Sequence, residues 1–174
     1  MVKEYETKVL EITVKEIERK LKKLGAKKES SILMKRWVFQ LPSNRGYLRL
    51  RTNGMTNTIT YKHRTGSKIS DTEEIEVNVD DFEKARQILS KLHFKNYNYQ
   101  ENKRTIYRIN DIEFCIDSWP KIPTYLEIES SSEKKVIDGL KLLNLEGKDI
   151  GNVPAATIYK IYGINLHSFK VMKF

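Results

Sequence analysis

Cysteine, histidine, proline and glycine are all scarce in this sequence, and each scarcity excludes something. Its 174 residues hold one cysteine, Cys115, so no internal disulfide can form. The three histidines, His63, His93 and His167, are too scattered to build a zinc site with that thiol. Four prolines and eight glycines are spread thinly, and nothing reads as an interdomain linker. The polar clusters from Pro42 to Gly46, Arg64 to Thr72 and Ser130 to Ser132 read as loops within one domain spanning residues 1–174. The start, Met1-Val2-Lys3-Glu4, is charged at once with no apolar run behind it, so neither a signal peptide nor a membrane span is expected, and the expected location is cytoplasmic. A Gly-rich phosphate loop of the Walker type is also missing, which argues against P-loop chemistry.

What the chain has is charge, and the charge is patterned. Thirty-two Lys and Arg stand against 23 Asp and Glu, a net +9 that suits a polyanionic partner such as a phosphate chain. Lysines over solvated helix faces at 15–28 and 134–141 account for much of it, so the informative cations are those on strands. A strand sends alternate side chains to opposite faces. In Glu4-Tyr5-Glu6-Thr7-Lys8 this puts two carboxylates and an ammonium on one face and Tyr5, Thr7 and Val9 on the other. At about 3.3 Å rise per residue the two glutamates are about 6.6 Å apart, within reach of one hard cation such as Mg²⁺, Mn²⁺ or Ca²⁺. A charged, solvated edge strand has the same pattern, and on the pentapeptide alone that is the favoured reading.

The pattern recurs along the chain. Leu48 and Leu50 face away from Tyr47, Arg49 and Arg51; Thr60, Lys62 and Arg64 share a face; Glu74 and Glu76 alternate with β-branched residues. A long extended segment over 97–109 puts Asn102, Arg104 and Arg108 opposite Lys103, Thr105 and Tyr107. In Ile112–Asp117, Glu113, Cys115 and Asp117 point together, and Tyr125-Leu126-Glu127-Ile128-Glu129 carries a second Glu-x-Glu. Four amphipathic helices are expected. Thr13 with Glu16 forms a capping box before Ile17, Leu21 and Leu24; Asp80 caps a helix burying Phe82, Ala85, Ile88, Leu89 and Leu92; Ser132 starts one burying Val136, Ile137, Leu140 and Leu143; Pro154 starts the fourth. Residues 164–174 fit a short strand, a docked helix or a frayed tail equally.

About eight strands joined by hairpins indicate an α+β, β-dominant fold on an antiparallel sheet. An open sheet with its polar face in water explains each strand singly. Four helices, however, need an apolar surface to cover, and the apolar strand faces supply it if the charged faces turn inward, as in a closed eight-stranded barrel with a polar lumen. Such a lumen takes a small polyanion rather than duplex nucleic acid, and inward charge is tolerated where it is paired or serves a ligand.

The ordered set Glu4-x-Glu6-x-Lys8, Gly46-Tyr47-Leu48-Arg49-x-Arg51, Thr60-Tyr61-Lys62, Arg104-x-x-Tyr107, Asp117 and Tyr125-Leu126-Glu127-Ile128-Glu129 resembles the CYTH superfamily of triphosphate tunnel metalloenzymes, from residue 4 to about Gly163. That group includes class IV adenylyl cyclases, thiamine triphosphatases and inorganic triphosphatases. The Asp117-to-Pro123 segment is most similar to the class IV cyclase-like branch. The resemblance implies a tunnel barrel in which Glu4, Glu6, Glu127 and Glu129 hold Mg²⁺ or Mn²⁺. It implies that Lys8, Arg49, Arg51, Lys62 and Arg104 bind the triphosphate, with Lys8 and Asp117 at the catalytic centre. One position departs from the family pattern: Asn102 stands where a lysine is usual, and the adjacent Lys103 faces outward unless a bulge rotates the strand.

Two reactions fit such a site, hydrolysis of a triphosphate and cyclisation of ATP to cyclic AMP and pyrophosphate, and hydrolysis asks for fewer base and ribose contacts. A non-catalytic module binding polyphosphate or nucleotide is the alternative from another class, and a nucleic-acid binder is a weaker third. No membrane partner is expected, and the chain is expected as a monomer or homodimer. Cys115 reads as a small residue of the polar face and His63 as solvent-exposed. Trp37 and Trp119 read as core, although either could stack on a base or a thiazole.

Overall fold

The computed structural model describes residues 5–42, 46–64, 72–92, 94 and 97–174. Glu4 of the expected metal set, His93, and parts of the expected loops at 42–46 and 64–72 lie outside the described residues. In chain order the elements are β1 (Tyr5–Val9), α1 (Val14–Lys23), β2 (Lys27–Gln40), β3 (Tyr47–Thr52), β4 (Asn57–Arg64), β5 (Thr72–Asn78), α2 (Phe82–Lys91), β6 (Tyr97–Ile109), β7 (Ile112–Ser118), β8 (Tyr125–Ser130), α3 (Glu133–Leu142), α4 (Ala155–Ile161), a 3-10 turn at Leu166–Ser168 and β9 (Val171–Met172). Strand pairing follows the order β1-β8-β7-β6-β2-β3-β4-β5, with β9 added on β6. Every described ladder is antiparallel except β6–β9. Among the described residues no ladder joins β5 to β1, so the hydrogen-bonded path is open where a closed barrel was expected. No described helix is long and apolar enough to cross a membrane.

The chain divides into two compact units, Met1–Ile32 with Lys103–Ile164, and Leu33–Asn102 with Asn165–Phe174. In the first, β1, β8, β7 and the C-terminal half of β6 form a ladder whose apolar face is built from Val9, Leu126, Ile128, Phe114, Ile116, Ile112 and Tyr107. Leu126, Ile128 and Phe114 are fully buried, each stabilising by about 1.5–3 kcal/mol. Ile17 and Leu21 of α1 and Val136 and Leu140 of α3 cover this face. Gly139 lets α3 come close: a Cβ there would lie 2.8 Å from Ile128 Cγ2 and 3.1 Å from Ile112 Cγ2. The outer edge of β1 is partly covered by the chain around Asp149, where the Thr7 hydroxyl donates to the Asp149 carboxylate (2.7 Å) and the Ile150 N–H donates to the Lys8 carbonyl (2.8 Å).

In the second unit, β2 to β5 form an antiparallel sheet, and α2 packs on the face carrying Phe39, Leu50, Trp37, Leu48 and Ile59. Trp37 is part of this packing, against Tyr97, Tyr99 and the Arg86 guanidinium. It therefore lies on the strand face opposite Arg36 and takes its core reading. The 165–174 segment ends in β9, which pairs in parallel with β6 (Tyr99 with Val171, Gln100 with Met172) and is the ninth strand among the described residues.

Several helix details differ from expectation. The N-cap of α2 is Asp81, not Asp80, because the Asp81 carboxylate sits where it accepts from the Lys84 N–H (2.9 Å). Thr13 occupies the N-cap of α1 by backbone conformation, but its hydroxyl makes no capping bond. Ser132 does cap α3. Each of these three helices has only ten residues, so its buried stripe is narrow and Leu24, Ile88, Leu92 and Ile137 stay exposed.

Candidate functional site

Directly opposed residues in a ladder share a face, so the pairings lay out the polar face of the first unit as rows. Glu6, Glu129, Glu113 and Arg108 form one row across β1, β8, β7 and β6. Lys8, Glu127, Cys115 and Ile106 form the next, and Tyr125, Asp117 and Arg104 the third. The rows bring Glu6, Glu127 and Glu129 together, with one carboxylate oxygen from each lying within 4.8 Å of the others. This all-oxygen, triply anionic set fits a hard divalent cation.

Cations thread the same rows. Lys8 Nζ donates to Glu6 (2.8 Å) and pairs with Glu127 (3.1 Å), while Arg104 Nη2 donates to the other Glu127 oxygen (2.8 Å). Arg104 also grips Asp117 through Nε (2.9 Å) and Nη2 (2.5 Å), a bidentate pair on a carboxylate with no exposure at all. Charge thus alternates Asp117, Arg104, Glu127, Lys8, Glu6. Burial opposes ionisation of Lys8, but Glu127 and Glu6 outweigh it and raise its pKa. Burial likewise opposes the Glu127 carboxylate, yet Arg104 and Lys8 hold its pKa well below the usual carboxylate range. Arg104 is desolvated and still driven further toward its charged form by Glu127 and Asp117. Lys8, Arg104 and Glu127 are thus each held in the charged form by the opposite charges around them.

Cys115 sits in the middle row, fully buried, with its thiol donating to Glu113 (3.1 Å). Burial pushes its pKa up, only partly offset by Arg104, so it is a poor nucleophile. Trp119 packs edge-on against Tyr159 of α4, whose hydroxyl donates to the Pro120 carbonyl (2.7 Å). That clamp fixes the segment leaving Asp117.

The polar face of the second unit is cationic. Arg36 stands opposite Arg51 and Arg49 opposite Thr60, while Thr60 and Lys62 stand opposite Glu76 and Glu74. Lys62 pairs with Glu74 (2.7 Å), Arg49 lies 3.7 and 3.5 Å from Glu74 and Glu76, and Arg51 lies 3.8 Å from Glu76. The Thr60 hydroxyl donates to Glu76 (2.6 Å). Burial raises the Glu76 pKa, but Thr60, Arg51 and Arg49 outweigh it and lower it on balance. Glu74 and Glu76 are thus ion-pair partners of the arginines. At Gly46, with φ +96°, a Cβ would fall 2.1 Å from the Lys62 carbonyl oxygen, so only glycine lets β3 start against this point of β4.

Two residues of this face receive no role from the sequence, although the alternation already places Thr60 on it. Thr60 supplies a hydroxyl between Arg49 and Glu76, and Arg36 adds a cation whose alternation was hidden in the run Lys35-Arg36-Trp37-Val38-Phe39. Asn102 is buried and accepts from Arg36 Nη2. Lys103 is exposed, and the ladder runs regularly from Lys103 to Ile109, so no bulge turns it inward.

One unit thus carries a carboxylate cluster threaded by cations, of a kind that could hold a metal ion, and the other carries an arginine-rich face. The chain belongs to the CYTH domain family, whose pattern matches residues 2–150. This is a metal-dependent family acting on triphosphates. A relative from Methanocaldococcus jannaschii, named "Putative adenylate cyclase MJ0240", is 39% identical over 113 residues; the match covers 59% of this chain and 65% of the relative's length. Among solved structures, the PH1012 protein of Pyrococcus horikoshii superimposes with a TM-score of 0.73 at 28% identity, covering 86% of this chain and 94% of that one. The PH1819 protein of the same organism has a TM-score of 0.72 at 21% identity, covering 92% and 99% of the two chains, and shares the fold.

Proposed function

We propose that this protein is a metal-dependent triphosphatase, acting on inorganic, nucleoside or thiamine triphosphate as a single tunnel-barrel domain over residues 1–174. The observation that carries the reading is the Glu6–Glu127–Glu129 cluster, three carboxylates within 4.8 Å interleaved with Lys8 and Arg104. Glu4, Glu6, Glu127 and Glu129 are the proposed ligands of Mg²⁺ or Mn²⁺. Lys8, Arg49, Arg51, Lys62 and Arg104 are the proposed phosphate-binding cations; planar guanidinium forks suit phosphate oxygens. When bound, the ion would supply charge neutralisation at the phosphate oxygens and orient water. Arg104 would bear on the phosphates from a position fixed by Asp117, and Lys8 would place positive charge beside the transferring group. Water attacks the terminal phosphorus, the bridging P–O bond breaks, and phosphate leaves the shortened chain. The closed tunnel is the family's architecture and is supported by the alternation of apolar and charged strand faces.

The second reading is cyclisation of ATP to cyclic AMP and pyrophosphate, favoured by the name of the M. jannaschii relative. One product assay separates the two: purified protein with inorganic triphosphate, ATP and thiamine triphosphate, each with Mg²⁺ or Mn²⁺. Phosphate release supports the first reading and cyclic AMP the second. If neither product forms with any metal, while triphosphate binds tightly, the protein is a binding module.

A further inference from the structure

We infer that Arg36 is a further triphosphate-binding cation, held on the phosphate-binding face of β2–β5 by the carboxamide of Asn102. The inference rests on the triphosphate reading above and adds a residue to it.

Arg36 is directly opposite Arg51 in the β2–β3 ladder, and Arg51 shares its face with Arg49, Thr60 and Lys62. Placing like charges opposite one another in a ladder is destabilising. Across β2 to β5 this face carries four cations, Arg36, Arg49, Arg51 and Lys62, against two carboxylates, Glu74 and Glu76, among the described residues. The excess suits a multiply charged anion that bridges several guanidinium groups at once.

Asn102 makes sense in this setting. It is 1% exposed, and its carbonyl oxygen accepts from Arg36 Nη2. A lysine at 102 would bring its own charge to the face. A neutral carboxamide instead orients the guanidinium arriving from β2 without cancelling any of its charge. The face therefore receives its cation from β2 rather than from β6, through a longer side chain with a planar fork. Asn102 is a positioning residue, and Arg36 is the group that meets phosphate.

The test is calorimetric titration of the full chain with inorganic triphosphate in EDTA, with melting temperatures recorded for each variant. Arg36→Met should weaken binding at least 10-fold, as should Arg51→Met. Lys35→Met removes an equal charge from the opposite face of the same strand and should stay within twofold of wild type. Asn102→Asp keeps a partner for Arg36, and so keeps the fold if Arg36→Met does not, but cancels its charge; binding should fall by a similar factor. Asn102→Leu, which removes the carboxamide contact to Arg36 without adding charge, should also weaken binding, and in an Arg36→Met background it should add nothing, a coupling that a merely structural asparagine would not show. If Arg36→Met and Asn102→Asp bind like wild type while Arg51→Met does not, the inference is wrong and the triphosphate reading stands. If wild type binds neither inorganic triphosphate nor ATP, both fall together.

Discussion

Replacing Lys8 by Met tests the unit-one network at its most loaded point. The ammonium is 2.8 Å from Glu6 and 3.1 Å from Glu127, with 5% of the lysine side chain and 7% of Glu127 exposed. At an effective dielectric of about 20, each contact carries roughly 5–6 kcal/mol of Coulomb attraction. Desolvation of the ions, several kcal/mol each, offsets most of it, and removing one partner of such a buried pair costs about 3–5 kcal/mol. Methionine keeps most of the stem's packing, and Arg104 still holds Glu127, so the lower end, about 3 kcal/mol, applies to Lys8→Met in metal-free buffer. For a chain of this size that is a fall in Tm of roughly 6–12 °C. The variant leaves Glu6, Glu127 and Glu129 together without their ammonium, so a divalent cation should compensate for it. Mg²⁺ or Mn²⁺ at 100 times its Kd stabilises by about 2.7 kcal/mol. In wild type the ion must first displace Lys8 from two carboxylates. Differential scanning calorimetry in EDTA and then over a metal series should therefore show a larger metal-induced rise in Tm for Lys8→Met than for wild type. A Tm within 2 °C of wild type in EDTA, on the same scale, or an equal metal response, would refute the reasoning.

Other expectations follow from single contacts. The Glu76 carboxylate has a folded pKa below its unfolded one, so its contribution to stability is present above the unfolded value near 4.5 and is lost as pH falls through the lowered folded value. Glu76→Gln should therefore cost stability at pH 7, under about 1 kcal/mol given solvent screening, and the cost should shrink as pH falls through the lowered folded value, a change followed by urea titration. Gly139→Ala gains about 1 kcal/mol of helix propensity but drives a methyl into Ile128 and Ile112, an overpacking of about 1–3 kcal/mol. The expected net effect is a lower Tm, and a higher one would show that α3 can lift without cost. Cys115, buried with its pKa raised by burial, should resist Ellman's reagent in native protein and react at once in guanidinium; rapid native labelling would contradict the packing around it.

The sequence exposed the parts of this molecule governed by a period of two. Glu6 with Lys8, Arg49 with Arg51 and Glu127 with Glu129 announce themselves because neighbours on the same face are two apart and the residues between them are apolar or β-branched. What it hid depends on pairing across strands. Nothing in the linear order says that Glu129 stands between Glu6 and Glu113, or that Arg36 meets Asn102 sixty-six positions away. Asp117 is expected near the metal ligands, and the linear order does not show that its carboxylate pairs with the Arg104 fork that also holds Glu127, a partnership set by the β6–β7 register. Helix burial was overstated for a simpler reason. Hydrophobic spacing lists every apolar position, and a ten-residue helix against a sheet can bury only two or three of them, as Ala85 and Leu89 do while Ile88 does not.

The row arrangement has an implication for how this chain tolerates changes of length. Glu6 and Lys8 sit one residue out of phase with Thr7 and Val9, and the same ladder positions that set carboxylates against each other also set Val9 against Leu126. Inserting or deleting one residue within β1 would exchange the two sets, sending the ammonium toward Leu126 and Ile128 and the valine into the acidic cluster. A change of two residues would preserve the alternation. Site and core thus share a parity, and indels in these strands should be tolerated in even numbers or not at all.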